Sequence, residues 1–241
     1  MKSTFASFTT RDGVSERQAP GDYVVLVHGL GRTRASFAWM ERQLHLAGYH
    51  VLNLGYPSQR KNLSDIAALH LAPVIGRHCT DESKRIHFVT HSLGGIVLRQ
   101  WLRSEDDRNG ATPISSRLGR VVMLAPPNQG SDILDRLRGQ PWVRAAFGPV
   151  SSELGTAPDS AVNRLGPVKI ETGVIMGHRA LLPFFKPWLG PESDGIVQVD
   201  RGAVEGMTDF IVLPADHTFI MRRPLVRDNV LAFLRSGRFL P

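Results

Sequence analysis

Ile86-His87-Phe88-Val89-Thr90-His91-Ser92-Leu93-Gly94-Gly95-Ile96 is the stretch on which the reading of this chain turns. Ile86 to Thr90 is a buried-strand run, and from Leu93 to Ser104 the apolar residues recur at helical spacing. A strand that gives way to a helix within two residues must turn sharply. That turn lifts the Ser92 hydroxyl out at the end of the sheet and demands small neighbours, because strand and helix approach closely there. The new helix also offers free N–H groups and the positive end of its dipole. The bland alternative is a glycine-rich turn whose serine only caps a helix.

Working outward, short β-rich runs alternate with longer helical patterns. Tyr23 to His28, Val51 to Leu54, Ile86 to Thr90, Arg120 to Ala125, Ile170 to Met176 and Phe210 to Leu213 read as strands. Ser36 to Gly48, Ser64 to His78 and Pro224 to Arg235 read as helices, with Ser64 as an N-cap and a turn or kink at Pro73. Alternation of this kind, with strands apolar on both faces, predicts an α/β fold: a mostly parallel central sheet covered by helices on both sides. Sites in such sheets form beyond the carboxyl ends of the strands. No repeat or Pro/Gly/Ser-rich linker divides the sequence. Residues 1–241 are therefore expected to form one domain, with 131–166 as a candidate lid or cap insertion.

The Ser92 segment resembles the nucleophile elbow of α/β-hydrolase fold esterases and lipases of the bacterial lipase type. Further segments match that family in chain order. Val27-His-Gly-Leu-Gly31 is similar to the loop that forms half of the oxyanion hole, and Leu124-Ala-Pro-Pro-Asn-Gln-Gly-Ser131 to the T-P-x-x-G-S turn. Asp194-Gly-Ile-Val197 and Asp216-His-Thr218 resemble the acid and histidine segments. Thr90 departs from the family pattern, standing where the first elbow glycine would be, and adds bulk at a tight turn. The resemblance implies an α/β-hydrolase fold, a hydrolase acting on carboxylic esters, a catalytic triad, and the Leu30 N–H as one oxyanion donor. By the elbow geometry the other donor is the N–H of Leu93.

A serine hydroxyl is a weak nucleophile at neutral pH and needs a base within hydrogen-bond reach. His217 follows a strand by a short loop, at the same sheet end as Ser92, and is the expected base. The acid must accept a hydrogen bond from the second ring nitrogen of that histidine. Asp194, opening an Asp-Gly turn after the Ile170 to Met176 strand, suits the task best. Asp216 adjoins His217 and reads as a turn former, while Asp200 and Asp209 read as surface residues. The expected site is thus Ser92, His217 and Asp194, with Leu30 and Leu93 supplying backbone donors. His178, Phe184, Phe185 and Trp188 are the expected pocket residues, the last three from the most hydrophobic loop of the chain.

Composition narrows the alternatives. The 241 residues are 42% apolar and 21% charged, which excludes disorder and a disulfide scaffold. The single cysteine, Cys79, cannot form an intramolecular bridge or a thiolate metal cluster, and the histidines lack H-E-x-x-H spacing. No metal or cofactor is expected. The net charge of +7 comes from 29 basic and 22 acidic residues, but the arginines are scattered. They predict solvated surface charge without a specific nucleic-acid site. The expected partner is a small ester or lipid, with transient contact to a lipid surface. No run reaches the ~20 apolar residues of a membrane-spanning helix. None resembling a signal peptide lies in Met1 to Asp22, which favours a cytoplasmic location.

The short insertion favours short-to-medium acyl esters over long triglycerides. Thioesters and amides use the same catalytic set and stay open. So does a non-catalytic ligand-binding protein, although no triad member is visibly missing. An arginine-rich polyanion binder would show binding that survives loss of Ser92. Dehalogenase or epoxide hydrolase chemistry would require an aspartate at that position.

Overall fold

The computed structural model describes residues 8–9, 13–107, 114–181 and 186–241. Its centre is an eight-stranded sheet formed by β1 (Phe8–Thr9), β2 (Ser15–Arg17), β3 (Tyr23–Val27), β4 (His50–Leu54), β5 (Ile86–His91), β6 (Leu118–Leu124), β7 (Thr172–Gly177) and β8 (Asp209–Leu213). The spatial order is β1-β2-β4-β3-β5-β6-β7-β8. From β4 to β8 every pairing is parallel, and β1 and β2 add an antiparallel edge.

The continuous apolar run of β3 reflects burial on both faces. Val24 and Leu26 enter one core with Phe37, Met40 and Phe233, while Val25 and Val27 enter the other with Phe88 and Trp101. Helix α1 (Ala38–Leu46) buries Met40 and Leu44 completely, each contributing roughly 1.5–3 kcal/mol. The closing helix on that face carries Pro224 in its first turn and ends at Gly237, whose φ of +76° terminates it.

Two local expectations change. The helix predicted from Ser64 is capped by Asn62, whose side chain accepts from the Asp65 N–H at 2.7 Å. It runs as α2 (Leu63–Ile66), a π-helical stretch (Ala67–Leu71) and α3 (Ala72–His78). Pro73 has no N–H to give to the preceding turn, and the widened stretch before it absorbs that loss without a break. The edge strand β2 is short and polar, with no apolar alternation to reveal it. It is anchored instead by the buried Glu41 carboxylate, which accepts from Ser15 Oγ at 2.7 Å, Arg17 Nε at 3.0 Å and Asn53 Nδ2 at 2.7 Å.

Chain order moves from β3 outward to β4 and then back across β3 to β5, so the β3/β5 boundary is a switch point of the sheet. Ser92 follows β5 and Leu30 follows β3. Asp194 and His217 follow β7 and β8. Helix α4 (Leu93–Asp107) starts directly beside that boundary. The 131–166 segment contains α5 (Asp132–Arg136) and α6 (Pro141–Phe147). A further short helix, α7 (Lys186–Leu189), precedes the Asp194 loop, and α8 (Pro224–Ser236) is the closing helix.

Candidate active site

Ser92 occupies left-handed backbone, with φ of +51°. For a residue with a Cβ this costs of order 1–3 kcal/mol and persists only where the surroundings enforce it. Here the Ser92 N–H donates to the Leu124 carbonyl at 2.9 Å, and the Gly95 N–H donates to the Ser92 carbonyl at 3.0 Å. The glycines are steric necessities. A Cβ on Gly94 would lie 2.1 Å from the Val27 oxygen, so α4 can start against β3 only with glycine there. A Cβ on Gly29 would lie 2.8 Å from His91 Nδ1. Thr90 fits at the first elbow position, fully buried, and among the described residues its Oγ1 has no hydrogen-bond partner.

Asp194 and His217 meet at 2.7 Å, Oδ2 to Nδ1, and both are buried. Nδ1 therefore carries the proton that it donates to the carboxylate, which leaves Nε2 as the acceptor of the neutral ring. Asp194 Oδ1 accepts from the N–H groups of Ile196 at 3.0 Å and Val197 at 2.8 Å. The Asp-Gly turn expected at this point thus aims one carboxylate oxygen at its own backbone and the other at the imidazole. Asp216 serves a different task. It accepts from the Phe219 N–H at 2.9 Å and from Arg223 at 2.8 Å, and so shapes the turn that carries His217.

Two further histidines support the site from below. His91 donates from Nε2 to the His217 carbonyl at 2.9 Å, and burial, aided by the neighbouring His217, holds its ring neutral. His28 is completely buried, stacks on Tyr56 at 4.1 Å, donates from Nδ1 to the Gly29 carbonyl at 2.9 Å and accepts from the Tyr56 N–H. Burial pushes its pKa down to about 4, against a backbone bond that acts the other way. The Tyr56 hydroxyl donates to the His28 carbonyl, and Ser58 Oγ accepts from the Gly31 N–H at 3.0 Å. These contacts fix the 28–31 loop. Among the described residues the Leu30 and Leu93 N–H groups have no acceptor.

Ser92, His217, Leu30 and Leu93 all line one cavity of about 370 Å³. Among the described residues Ser92 Oγ makes no hydrogen bond; such contacts often tighten only when substrate is bound. The cavity's apolar wall comes from the insertion: Ile133, Leu134, Leu137, Trp142, Phe147 and Leu154. This corrects the expected pocket. His178 is exposed and Trp188 packs under the Arg136 guanidinium at 5.9 Å, so neither reaches the cavity wall. Phe184 and Phe185 lie outside the described residues. Of the expected residues the structure brings together Ser92, Asp194, His217, Leu30 and Leu93. No cluster of three or more His, Cys, Asp or Glu side chains suited to a metal occurs among the described residues.

The turn just before the insertion and the insertion's last residue converge on Arg99, buried on α4. Its Nη1 donates to the Asn128 carbonyl at 2.8 Å and its Nη2 to the Gly166 carbonyl at 2.9 Å. Burial lowers its pKa to about 10, which still leaves it charged. Asp132 at the start of α5 is paired with Arg201 by two bonds of 3.0 Å, which links the insertion to the loop carrying Asp194.

This architecture is the α/β-hydrolase fold, as the solved structures similar to it make plain. The mature form of the Bacillus licheniformis lipase BlEst2 aligns with a TM-score of 0.69 at 17% identity over 91% of this chain and 93% of its own. The metagenomic carboxyl esterase MGS0156 aligns with 0.64 at 23% identity over 83% and 65%. The Paleococcus ferrophilus monoacylglycerol lipase aligns with 0.59 at 16% identity over 93% and 98%. Other matched structures are much longer: the chain spans 59% of phospholipase PlaB from Legionella pneumophila. No curated protein matches by sequence. The chain belongs to the family described as domain of unknown function DUF7379, whose model matches residues 2–174. Asp194 and His217 lie beyond that match.

Proposed function

We propose that this protein hydrolyses carboxylic esters through an acyl-enzyme on Ser92. The observation that carries the reading is the 2.7 Å Asp194–His217 bond, with His217 facing the same cavity as a serine held in strained backbone. In the proposed reaction Ser92 Oγ attacks the ester carbonyl carbon while His217 Nε2 takes its proton. The carbonyl oxygen becomes an oxyanion and receives the N–H groups of Leu30 and Leu93. Each such donor is typically worth about 3 kcal/mol of barrier. Collapse of the intermediate expels the alcohol, protonated from His217. A water molecule then repeats the cycle on the acyl-enzyme and releases the acid. Asp194 stays ionised, holds the Nδ1–H tautomer and stabilises the imidazolium.

The apolar wall and the modest cavity support short-to-medium acyl chains, with the 131–166 segment acting as the cap. No helix among the described residues is long and apolar enough to cross a membrane. The test is turnover of p-nitrophenyl esters of graded chain length, together with mass spectrometry after fluorophosphonate treatment. A single adduct on the Ser92 peptide and loss of turnover is the expected result. Labelling elsewhere in an active enzyme would overturn it.

A further inference from the structure

Among the described residues Arg32 is the one ionised residue that lines the cavity, and no carboxylate does so. Many arginines of the chain have acceptors: Arg17 with Glu41, Arg120 with Glu171, Arg201 with Asp132, Arg223 with Asp216. The half-buried Arg32 guanidinium has no hydrogen-bond or ion-pair partner among the described residues. Its backbone, in contrast, is fixed. The Arg32 N–H donates to the Gly29 carbonyl at 3.2 Å, and the neighbouring Gly31 N–H is held by Ser58. The side chain thus projects from a rigid turn, two residues beyond the Leu30 N–H.

A guanidinium is charged at every physiological pH and presents a fork of donors that matches phosphate or carboxylate oxygens in pairs. Beside an apolar wall its attraction for an anion is stronger than in open water. His91, which adjoins Ser92, does not compete, because burial keeps it neutral and the charge of Arg32 adds to that effect. Every cavity residue supplied by the insertion is apolar apart from Ser131, whereas the rest of the lining mixes apolar residues such as Leu30 and Val197 with Arg32, Ser92 and His217.

We infer that Arg32 selects the substrate class: amphiphilic esters whose acyl chain lies against the insertion and whose alcohol portion carries a phosphate or carboxylate close to the scissile bond. The inference rests on the ester-hydrolase reading above. Loss of a charge-assisted hydrogen bond corresponds to about ten- to hundred-fold in affinity or specificity.

The test compares kcat/KM for 1-octanoyl-glycerol 3-phosphate, O-octanoyl-lactate and neutral 1-octanoyl-glycerol, in wild type, Arg32→Gln and Arg32→Lys. Wild type should prefer at least one anionic ester over the neutral one by about tenfold or more. Arg32→Gln should bring that ratio to about one, and Arg32→Lys should retain part of it, since a point charge lacks the fork. Which anionic ester leads separates phosphate from carboxylate. The wild-type preference should also shrink with added salt, because the site is only half buried. A second arm needs no turnover: decyl phosphate, but not decanol, should protect Ser92 from fluorophosphonate in wild type and fail to do so in Arg32→Gln. Hydrolysis of neutral esters with no anionic preference overturns the Arg32 inference alone. Absence of any ester turnover overturns the ester-hydrolase reading, while Arg32-dependent protection by decyl phosphate would still establish the anion subsite.

Discussion

Asp194 and His217 are joined twice. Besides the 2.7 Å bond between their side chains, the His217 N–H donates to the Asp194 carbonyl at 3.1 Å. The backbone bond sets the distance between the two Cα atoms, and the side-chain bond then fixes the ring plane. Asp194→Asn keeps the first and inverts the second. It should leave Tm close to wild type while kcat falls by about 10⁴-fold, the loss found when a serine protease loses its orienting aspartate. Asp216→Asn should keep kcat within about tenfold and cost at most about 1 kcal/mol, because its partner Arg223 is half exposed. Melting curves beside the kinetics distinguish the two. If Asp216→Asn abolished turnover in a folded protein, the orienting role would pass to that residue.

Thr90→Val should stabilise the protein. The Thr90 hydroxyl is buried and has no partner among the described residues, so replacing it by a methyl group relieves a desolvation cost of about 1 kcal/mol or more. For a chain of this size the gain corresponds to a rise in Tm of about 2–4 °C by calorimetry. A drop in Tm would mean that the hydroxyl is bonded, with an internal water the natural partner.

His28 makes stability fall on the acid side. Its ring takes a proton near pH 6.5 when unfolded and only near pH 4 when folded. Its contribution is therefore complete above pH 6.5 and is lost as the pH drops toward 4, by about 3 kcal/mol over that window. Urea denaturation at half-unit steps of pH reads this slope, and the His28 ring protons in an NMR titration give the midpoint directly. A His28 midpoint near 6.5 would remove the effect.

Arg99→Met should loosen the 131–166 segment. It strips the donors from the Asn128 and Gly166 carbonyls in a buried setting, at a cost of about 1–3 kcal/mol for each. Native-state proteolysis should then cut within 131–166 faster than in wild type, and KM should rise more than kcat falls. Equal cleavage rates in the two proteins would show that the anchor does not restrain the segment.

The sheet and the strand-end residues are legible in the sequence because they rest on local signals. Tyr23 to Val27 is apolar without interruption, and Ser92 stands between a strand and two glycines. The contribution of the 131–166 segment to the cavity is illegible for an equally physical reason. Helices of five and seven residues, such as α5 and α6, are too short to display a period, so Trp142 and Phe147 resemble any other loop aromatics. Arg32 and Arg99 are hidden among 24 arginines of one chemistry. Only the fold separates a guanidinium that spans two carbonyls from one that lines the cavity beside Ser92. His178 and Trp188 show the converse: hydrophobic neighbours in sequence do not say which side of a loop meets the cavity.

The grip of Arg99 on both feet of the 131–166 segment also bears on how such a scaffold can change. With its feet held at one point, the segment is a ring whose closure cost depends only logarithmically on its length. Doubling that length adds about 0.6 kcal/mol. Val150, Leu154, Val162 and Leu165 of the segment are buried in the sheet's own core, so it is at the exposed turn Arg138–Gln140 that insertions cost the sheet little while redrawing the apolar wall above Ser92. The chain can acquire a different cavity by length variation alone, with every strand and every strand-end residue left in place.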